Sequence, residues 1–111
     1  MLTEQEMQSV AEHYISFVGN NKLELTIYYH RTIKKPYGNI YFFNTKRHAE
    51  TGDINYSMIR GPFLVEKETK RVVNFGTAYP NEYYFEAYEK GTLEPTLTRY
   101  WYPDEERYDF K

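Results

Sequence analysis

Residues 63–75 read FLVEKETKRVVNF and predict two strands joined by a short connection. Phe63–Glu66 and residues 72–75 are rich in β-branched and aromatic side chains, which favour strands. The hydrophilic residues 67–71 between them predict the tip of a hairpin. A hairpin in the middle of the chain indicates an antiparallel sheet, since a short connection can only reverse the strand direction.

A helix is predicted directly after this hairpin. Gly76 and Thr77 break the strand pattern, and Pro80 suits the first turn of a helix because its missing N–H is not needed there. Gly91 is a natural stop. One face of this helix is predicted to be apolar and to carry Tyr83, Tyr84, Ala87 and Tyr88.

The residues before the hairpin predict a helix followed by two strands. Thr3 and Glu6 form a capping-box pattern at the start of an amphipathic helix over residues 3–18. Residues 23–32 alternate with a period of about two and predict a strand. Residues 34–39 then predict a turn that leads into an antiparallel strand over residues 40–43.

The last part of the chain predicts one more strand. Residues 97–102, LTRYWY, favour a strand, and we expect residues 103–111 to form a charged tail that frays. The fold class is therefore α+β, with one domain over residues 1–111. We expect a mostly antiparallel sheet of about five strands, an N-terminal helix and a second helix before the last strand.

Composition excludes several classes of protein. The 111 residues include no cysteine, so disulfides and thiolate metal sites are excluded. A net charge of -2 gives no general case for nucleic-acid binding, and no segment approaches the length of a membrane span. We expect a cytoplasmic protein without a cofactor or a metal.

Residues 41–53, YFFNTKRHAETGD, carry the densest group of polar candidates. They lie in the basic part of the chain, since residues 31–60 hold six basic and two acidic residues. We expect residues 41–43 to belong to a strand and residues 44–50 to be a polar exit from the core. Gly52 permits a tight backbone turn there, and the Asp53 side chain can bond its own backbone.

Aromatic and basic side chains are the candidates for contact with a partner. Thirteen tyrosines are an unusual excess, and tyrosine suits surfaces that are partly wet and partly apolar. In the strand over residues 97–102, alternation places one set of side chains in the core and the other outside. The candidate contact residues are Lys46, Arg47, His48, Tyr56, Arg99 and Trp101.

Catalysis has weaker support than binding. A small hydrolase that uses His48 with Glu50 or Asp53 is one alternative, because these residues are neighbours in sequence. No serine motif, metal-spaced histidine pair or glycine-rich nucleotide turn accompanies them. We therefore expect no catalytic residue.

The order of motifs resembles the immunity protein 35 family of bacterial polymorphic toxin systems. The resemblance covers residues 41–89 and rests on YFFNTKRHAETGD, GPFLVEKETKRVVNFGTAYP and NEYYFEAYE. Some of the residues that carry the pattern are expected to define the fold rather than to select a partner. These fold-defining residues are Asn44, Gly52, Asp53, Gly61, Pro62, Gly76 and Pro80.

This resemblance implies a small cytoplasmic α+β protein that is encoded beside a toxin and neutralises that toxin by binding it. It also implies that the toxin is often a papain-like peptidase. A housekeeping or stress-related binding module remains an alternative, as does the small hydrolase.

Overall fold

The computed structural model describes residues 1–58 and 60–109. It contains three α-helices and eight short strands within these residues. The helices are α1 (Glu4–Gly19), α2 (Lys46–Thr51) and α3 (Asn81–Lys90). The strands are β1 (Leu25–Ile27), β2 (Ile33–Lys35), β3 (Gly38–Tyr41), β4 (Phe43–Thr45), β5 (Phe63–Glu66), β6 (Val72–Asn74), β7 (Tyr100–Tyr102) and β8 (Arg107–Asp109).

The strands form an antiparallel six-stranded sheet and a separate two-stranded pair. The order in the larger sheet is β2-β3-β5-β6-β7-β8, and β1 pairs with β4. In the predicted hairpin, Leu64 lies opposite Val73. The α+β class and the antiparallel sheet are thus confirmed, although the strands outnumber the five that the sequence predicts.

Strand β5 lies at the centre of the core, and both of its faces are buried. Phe63 and Val65 pack with Met7 and Tyr14 of α1. Leu64 points the other way and belongs to a second cluster with residues of α3. The six-stranded sheet is therefore covered by α1 on one face and by α3 on the other.

The starts and ends of α1 and α3 follow the sequence signals. The Thr3 hydroxyl accepts a hydrogen bond from the Glu6 backbone N–H, and the Glu6 carboxylate accepts one from the Thr3 N–H, which confirms the capping box. Helix α3 begins directly after Pro80, and Gly91 ends it with a left-handed φ of 72°.

The prediction of a single strand over residues 23–32 is wrong. β1 and β2 are two separate strands, and Tyr29–Arg31 between them form a 3-10 turn. The backbone N–H of Tyr28 donates to the carbonyl of Phe42 at 2.8 Å, at the point where the opposite strand is also interrupted. The antiparallel arrangement with the next segment is kept on both sides of this bulge.

Two further predictions need correction. Residues 44–50, predicted to be a polar exit from the core without a helix assigned to them, contain the end of β4 and most of helix α2. Residues 103–111 were expected to fray, but residues 107–109 form β8 and pair with β7, with Trp101 opposite Tyr108. Phe110 and Lys111 lie outside the described residues.

A buried carboxylate, that of Glu66, joins the hairpin to α3. Its two oxygens accept hydrogen bonds from Arg71 Nε and Nη2, both at 2.9 Å, and a further one from the Tyr88 hydroxyl. The Arg71 guanidinium also lies 4.0 Å from the centre of the Tyr100 ring. This charge at the end of β5 is paired, as a buried carboxylate must be.

No helix within residues 1–58 or 60–109 has both the length and the apolar character that crossing a bilayer requires.

Candidate protein-binding surface

A groove of about 1370 Å³ lies beside the predicted polar stretch. Its walls come from the C-terminal half of α1, from β1, from α2 and from the segment that follows α2. Lys46, Arg47 and Tyr56, three of the six predicted contact residues, line it. We call this the first groove.

Asn44 and Thr45, the last two residues of β4, position this surface. The Asn44 side-chain carbonyl accepts from the backbone N–H of Thr45 and of Met58, each at 2.8 Å. Its amide donates to the Ser57 hydroxyl at 3.0 Å. The Thr45 hydroxyl caps α2 by accepting from the His48 N–H at 3.0 Å. These bonds tie α2 and the segment after it to the sheet.

The next two predicted residues shape the turn after α2. Gly52 ends α2 with a φ of 70°, a left-handed conformation that favours glycine. The Asp53 carboxylate accepts a hydrogen bond from the Asn55 backbone N–H at 2.9 Å, as the sequence suggests. This turn brings Tyr56 back beside α2.

Charges of both signs line the first groove. Lys46 lies 3.5 Å from the Glu24 carboxylate, and the Arg47 guanidinium lies 4.8 Å from the centre of the Tyr56 ring. The acidic lining residues are Glu12, Glu24 and Glu50, and the basic ones are Lys22, Lys46 and Arg47. The groove therefore suits a partner with mixed polar contacts rather than a polyanion.

His48 is half-buried, and its contact is with a tyrosine rather than with one of the carboxylates with which the sequence could pair it. Its Nδ1 lies 3.1 Å from the Tyr28 hydroxyl. Among the described residues, no hydrogen bond or ion pair joins His48 to Glu50 or Asp53. Nor do the described residues contain a group of three or more metal-ligating side chains.

Trp101 and Arg99 are buried. They were predicted to contact a partner on the assumption that they are exposed, and the structure does not place them on the surface. Trp101 is 0% exposed and packs against Tyr14 and Phe17 of α1. Arg99 is 6% exposed, and its guanidinium donates to the carbonyls of Glu94 at 2.9 Å and Asn74 at 2.6 Å. Because α1 and α3 cover the two faces of the sheet, alternation along β7 leaves Trp101 buried and Tyr100 and Tyr102 half-buried, so neither set is fully exposed.

The predicted Gly-Pro and Gly-Thr pairs meet beside β5. A Cβ on Gly61 would lie 2.5 Å from the carbonyl oxygen of Phe75, so only glycine fits there. The carbonyl of Pro62 accepts the Phe75 N–H at 3.1 Å. A Cβ on Gly76 would lie 2.6 Å from the Tyr84 hydroxyl. These residues hold the backbone of β5, the end of β6 and α3 close together.

Two exposed tyrosines, one just before α3 and one in its first turn, are not among the predicted contact residues. Tyr79 and Tyr83 are 57% and 51% exposed, and their ring centres lie 4.4 Å apart. Helical periodicity places Tyr83 on the apolar face with Tyr84, but Tyr83 lies beyond the edge of the sheet contact. In the sequence, this exposure is indicated only by the position of Tyr83 in the first turn of the helix, close to the predicted helix start at Pro80.

Asn44→Ala should lower the free energy of unfolding by about 1 to 2 kcal/mol, because it leaves the Met58 and Thr45 N–H groups without their acceptor. The substitution should loosen the segment around Met58 more than it lowers the stability of the whole protein. We expect faster hydrogen exchange at the Met58 amide, measured by NMR. Asn55→Ala is the matched control, since that side chain makes no hydrogen bond among the described residues. Unchanged exchange at Met58 would contradict the positioning role.

Comparison with known families agrees with these motifs. The family model described as Immunity protein 35 matches residues 6–90. No curated protein and no solved structure matches the chain. The match begins in α1, ends with α3 and includes the whole β5–β6 hairpin and every residue that lines the first groove. Since it covers well over half of the 111 residues, the protein belongs to the immunity protein 35 family.

Proposed function

We propose that this protein protects a bacterial cell by binding a cognate toxin and blocking its action, without catalytic turnover of its own. Membership of the immunity protein 35 family supports this proposal. We place the protein in the cytoplasm, where a toxin would act on the cell that makes it. A papain-like peptidase is the toxin class to test first, on the strength of the family resemblance.

We propose that the rim of the first groove contacts the toxin. The observation that carries this proposal is that Lys46, Arg47 and Tyr56 line one groove. Arginine and tyrosine are enriched among residues that dominate binding energy, and a guanidinium held over a ring loses little freedom on binding. The Asn44 hydrogen bonds support the same surface from below.

Co-expression with the toxin encoded by the neighbouring gene tests both parts of the proposal. The wild-type protein should restore growth. Arg47→Glu should weaken binding of an inactivated form of that toxin by roughly thirtyfold, which corresponds to about 2 kcal/mol for a strong contact residue. Isothermal titration calorimetry measures the affinity, and growth at limiting expression measures protection.

Arg107→Glu is the matched control, because Arg107 is also an exposed arginine but lies on β8. It should leave affinity and growth unchanged. Killing despite well-expressed wild-type protein would overturn the immunity proposal. Full protection by Arg47→Glu would overturn only the assignment of the first groove. A housekeeping module would show no binding and no toxin gene beside its own.

A further inference from the structure

The six basic residues within the segment 31–60 form two groups that differ in their contacts. The three lysines pair with acids outside that segment: Lys34 with Glu4 at 3.0 Å, Lys35 with Glu89 at 3.5 Å and Lys46 with Glu24 at 3.5 Å. The three arginines, Arg31, Arg47 and Arg60, have no carboxylate within 4 Å among the described residues. The excess positive charge of this segment is therefore carried by its arginines.

Two of these arginines line a second groove, of about 400 Å³. Its walls come from the bulge around Phe42, from Gly61 and Pro62, and from the segment that leads into α3. Arg31 and Arg60 are its charged residues, and no acidic residue lines it within the described part of the chain. We call it the second groove.

The contacts of Arg31 and Arg60 leave most of their N–H groups available. The Arg31 guanidinium lies 4.3 Å from the centre of the Phe42 ring. This stacking uses the face of the guanidinium and leaves the N–H groups at its edge, which is the part that binds a carboxylate. Arg60 donates to the Tyr14 hydroxyl at a long 3.4 Å. Both are exposed, so a carboxylate from a partner can reach them.

Aromatic surface adjoins this charge. Tyr79 lines the second groove and packs against Tyr83, and both residues are more than half exposed. Exposed tyrosine rings beside arginine have the composition of protein-binding hot spots. A partner that buries the tyrosine pair would therefore also exclude water from a carboxylate bound to the arginines.

The two grooves adjoin at Asn44. This residue lines the second groove, and it hydrogen-bonds to Ser57 and Met58, which line the first. One partner can therefore contact both.

We propose that the second groove binds an acidic segment of the toxin, with Arg31 and Arg60 pairing with aspartate or glutamate side chains and the Tyr79–Tyr83 pair as the apolar anchor. This inference rests on the proposed function and names the chemistry of the partner surface. A protein partner is favoured over a nucleic acid, because the guanidiniums lie in one small groove beside tyrosines and the chain as a whole carries a charge of -2.

Binding of the inactivated toxin from the neighbouring gene is the first test. Arg31→Glu and Arg60→Glu should each lower affinity by roughly tenfold or more, through both slower association and faster dissociation, and should weaken the salt dependence of binding. Tyr79→Ala should lower affinity mainly by faster dissociation. Arg107→Glu is again the control and should change neither rate. Arg60→Gln, which keeps a hydrogen-bond donor near Tyr14, replaces Arg60→Glu if the latter does not fold.

A second test does not need the toxin. A capped hexapeptide of glutamates should shift the Nε–Hε NMR signals of Arg31 and Arg60 but not that of Arg107, and the glutamine hexapeptide should shift none. If the wild type binds the toxin while Arg31→Glu and Arg60→Glu keep its affinity and salt dependence, this inference is wrong and the proposed function stands.

If the wild type does not bind the toxin, the proposed function is wrong, and the hexapeptide result alone decides whether the second groove recognises acidic chains. Absence of the expected arginine shifts then overturns the inference. Tighter binding of polyuridylate than of the glutamate hexapeptide would also overturn it, in favour of a nucleic-acid site.

Discussion

Trp101→Ala should lower the free energy of unfolding by about 4 kcal/mol, within the range for removal of a fully buried large aromatic. Trp101 is 0% exposed, and the centre of its ring lies 5.0 Å from the centre of the Tyr14 ring and 5.3 Å from that of Phe17. The substitution would leave a cavity between β7 and α1. Urea unfolding followed by circular dichroism measures the loss.

Trp101→Phe is the informative comparison. The indole Nε1 has no hydrogen-bond partner among the described residues, so phenylalanine gives up ring area without leaving an acceptor unpaired. We expect a loss of about 1 kcal/mol and an unchanged toxin affinity. If Trp101→Phe were fully stable but failed to bind toxin, Trp101 would be a contact residue after all, as its sequence context suggests.

Arg71→Ala should lower the free energy of unfolding by about 3 kcal/mol, because it leaves the buried Glu66 carboxylate without its charged partner. Glu66 is 6% exposed and accepts two of its hydrogen bonds from Arg71. We choose the lower end of the range for broken buried pairs, since the Arg71 side chain keeps 25% of its surface in water. Thermal and urea unfolding at pH 7 measure the loss.

The same contact predicts a dependence on pH. Burial by itself would raise the pKa of Glu66, but the hydrogen bonds from Arg71 and its neighbours outweigh burial and hold that pKa below its ordinary value of 4.5. A carboxyl whose pKa is lower in the folded state stabilises the fold above its unfolded pKa. This contribution is lost as the pH falls below about 4.5 and through the lower, folded-state pKa. The difference in stability between the wild type and Glu66→Gln should therefore shrink on acidification.

Arg107→Ala is the control for Arg71→Ala. Arg107 also pairs with carboxylates, Glu105 at 3.2 Å and Asp109 at 3.7 Å, but its side chain is 54% exposed. Exposed pairs contribute little, so we expect no measurable loss of stability. If Arg71→Ala and Arg107→Ala lowered the free energy of unfolding equally, the burial of Glu66 would not explain the contribution of its ion pair to stability.

The parts of the fold that the sequence predicts well are those whose signals are local. Thr3 and Glu6 are three residues apart and cap α1 by themselves. The hairpin of β5 and β6 needs only two apolar runs and a polar tip, and α3 is bounded by Pro80 and Gly91. Each of these signals acts through neighbouring backbone groups, so tertiary packing does not have to be known.

The elements that were missed depend on partners distant in sequence. Alternation over residues 23–32 continues through Tyr28, but it contains no information on where the opposite strand is interrupted at Phe42. Helix α2 has only six residues, which is too short for a periodic apolar pattern. Its caps, Thr45 and Gly52, were the usable signals, and they are equally typical of a turn.

The candidate site was predictable only in part for a similar reason. Lys46, Arg47 and Tyr56 lie together because Asn44 and Thr45 join two segments that are a dozen residues apart. Alternation correctly separates Trp101 from Tyr100 and Tyr102, but it cannot reveal that helices cover both faces of the sheet. Within residues 31–60, the pairing of the three lysines with distant acids, which the three arginines lack among the described residues, is visible only once the chain is folded.

The packing of α1 against the last hairpin has a consequence during synthesis. The Tyr14 and Tyr108 hydroxyls lie 3.1 Å apart, although 94 positions separate them along the chain. The β2–β3 and β5–β6 hairpins are local and can form as soon as they leave the ribosome, whereas α1 must wait with part of its apolar face uncovered until residues 101–108 emerge. A nascent chain therefore completes this part of its core only after residues 101–108 have emerged, and until then the apolar face of α1 that they cover stays exposed to other proteins.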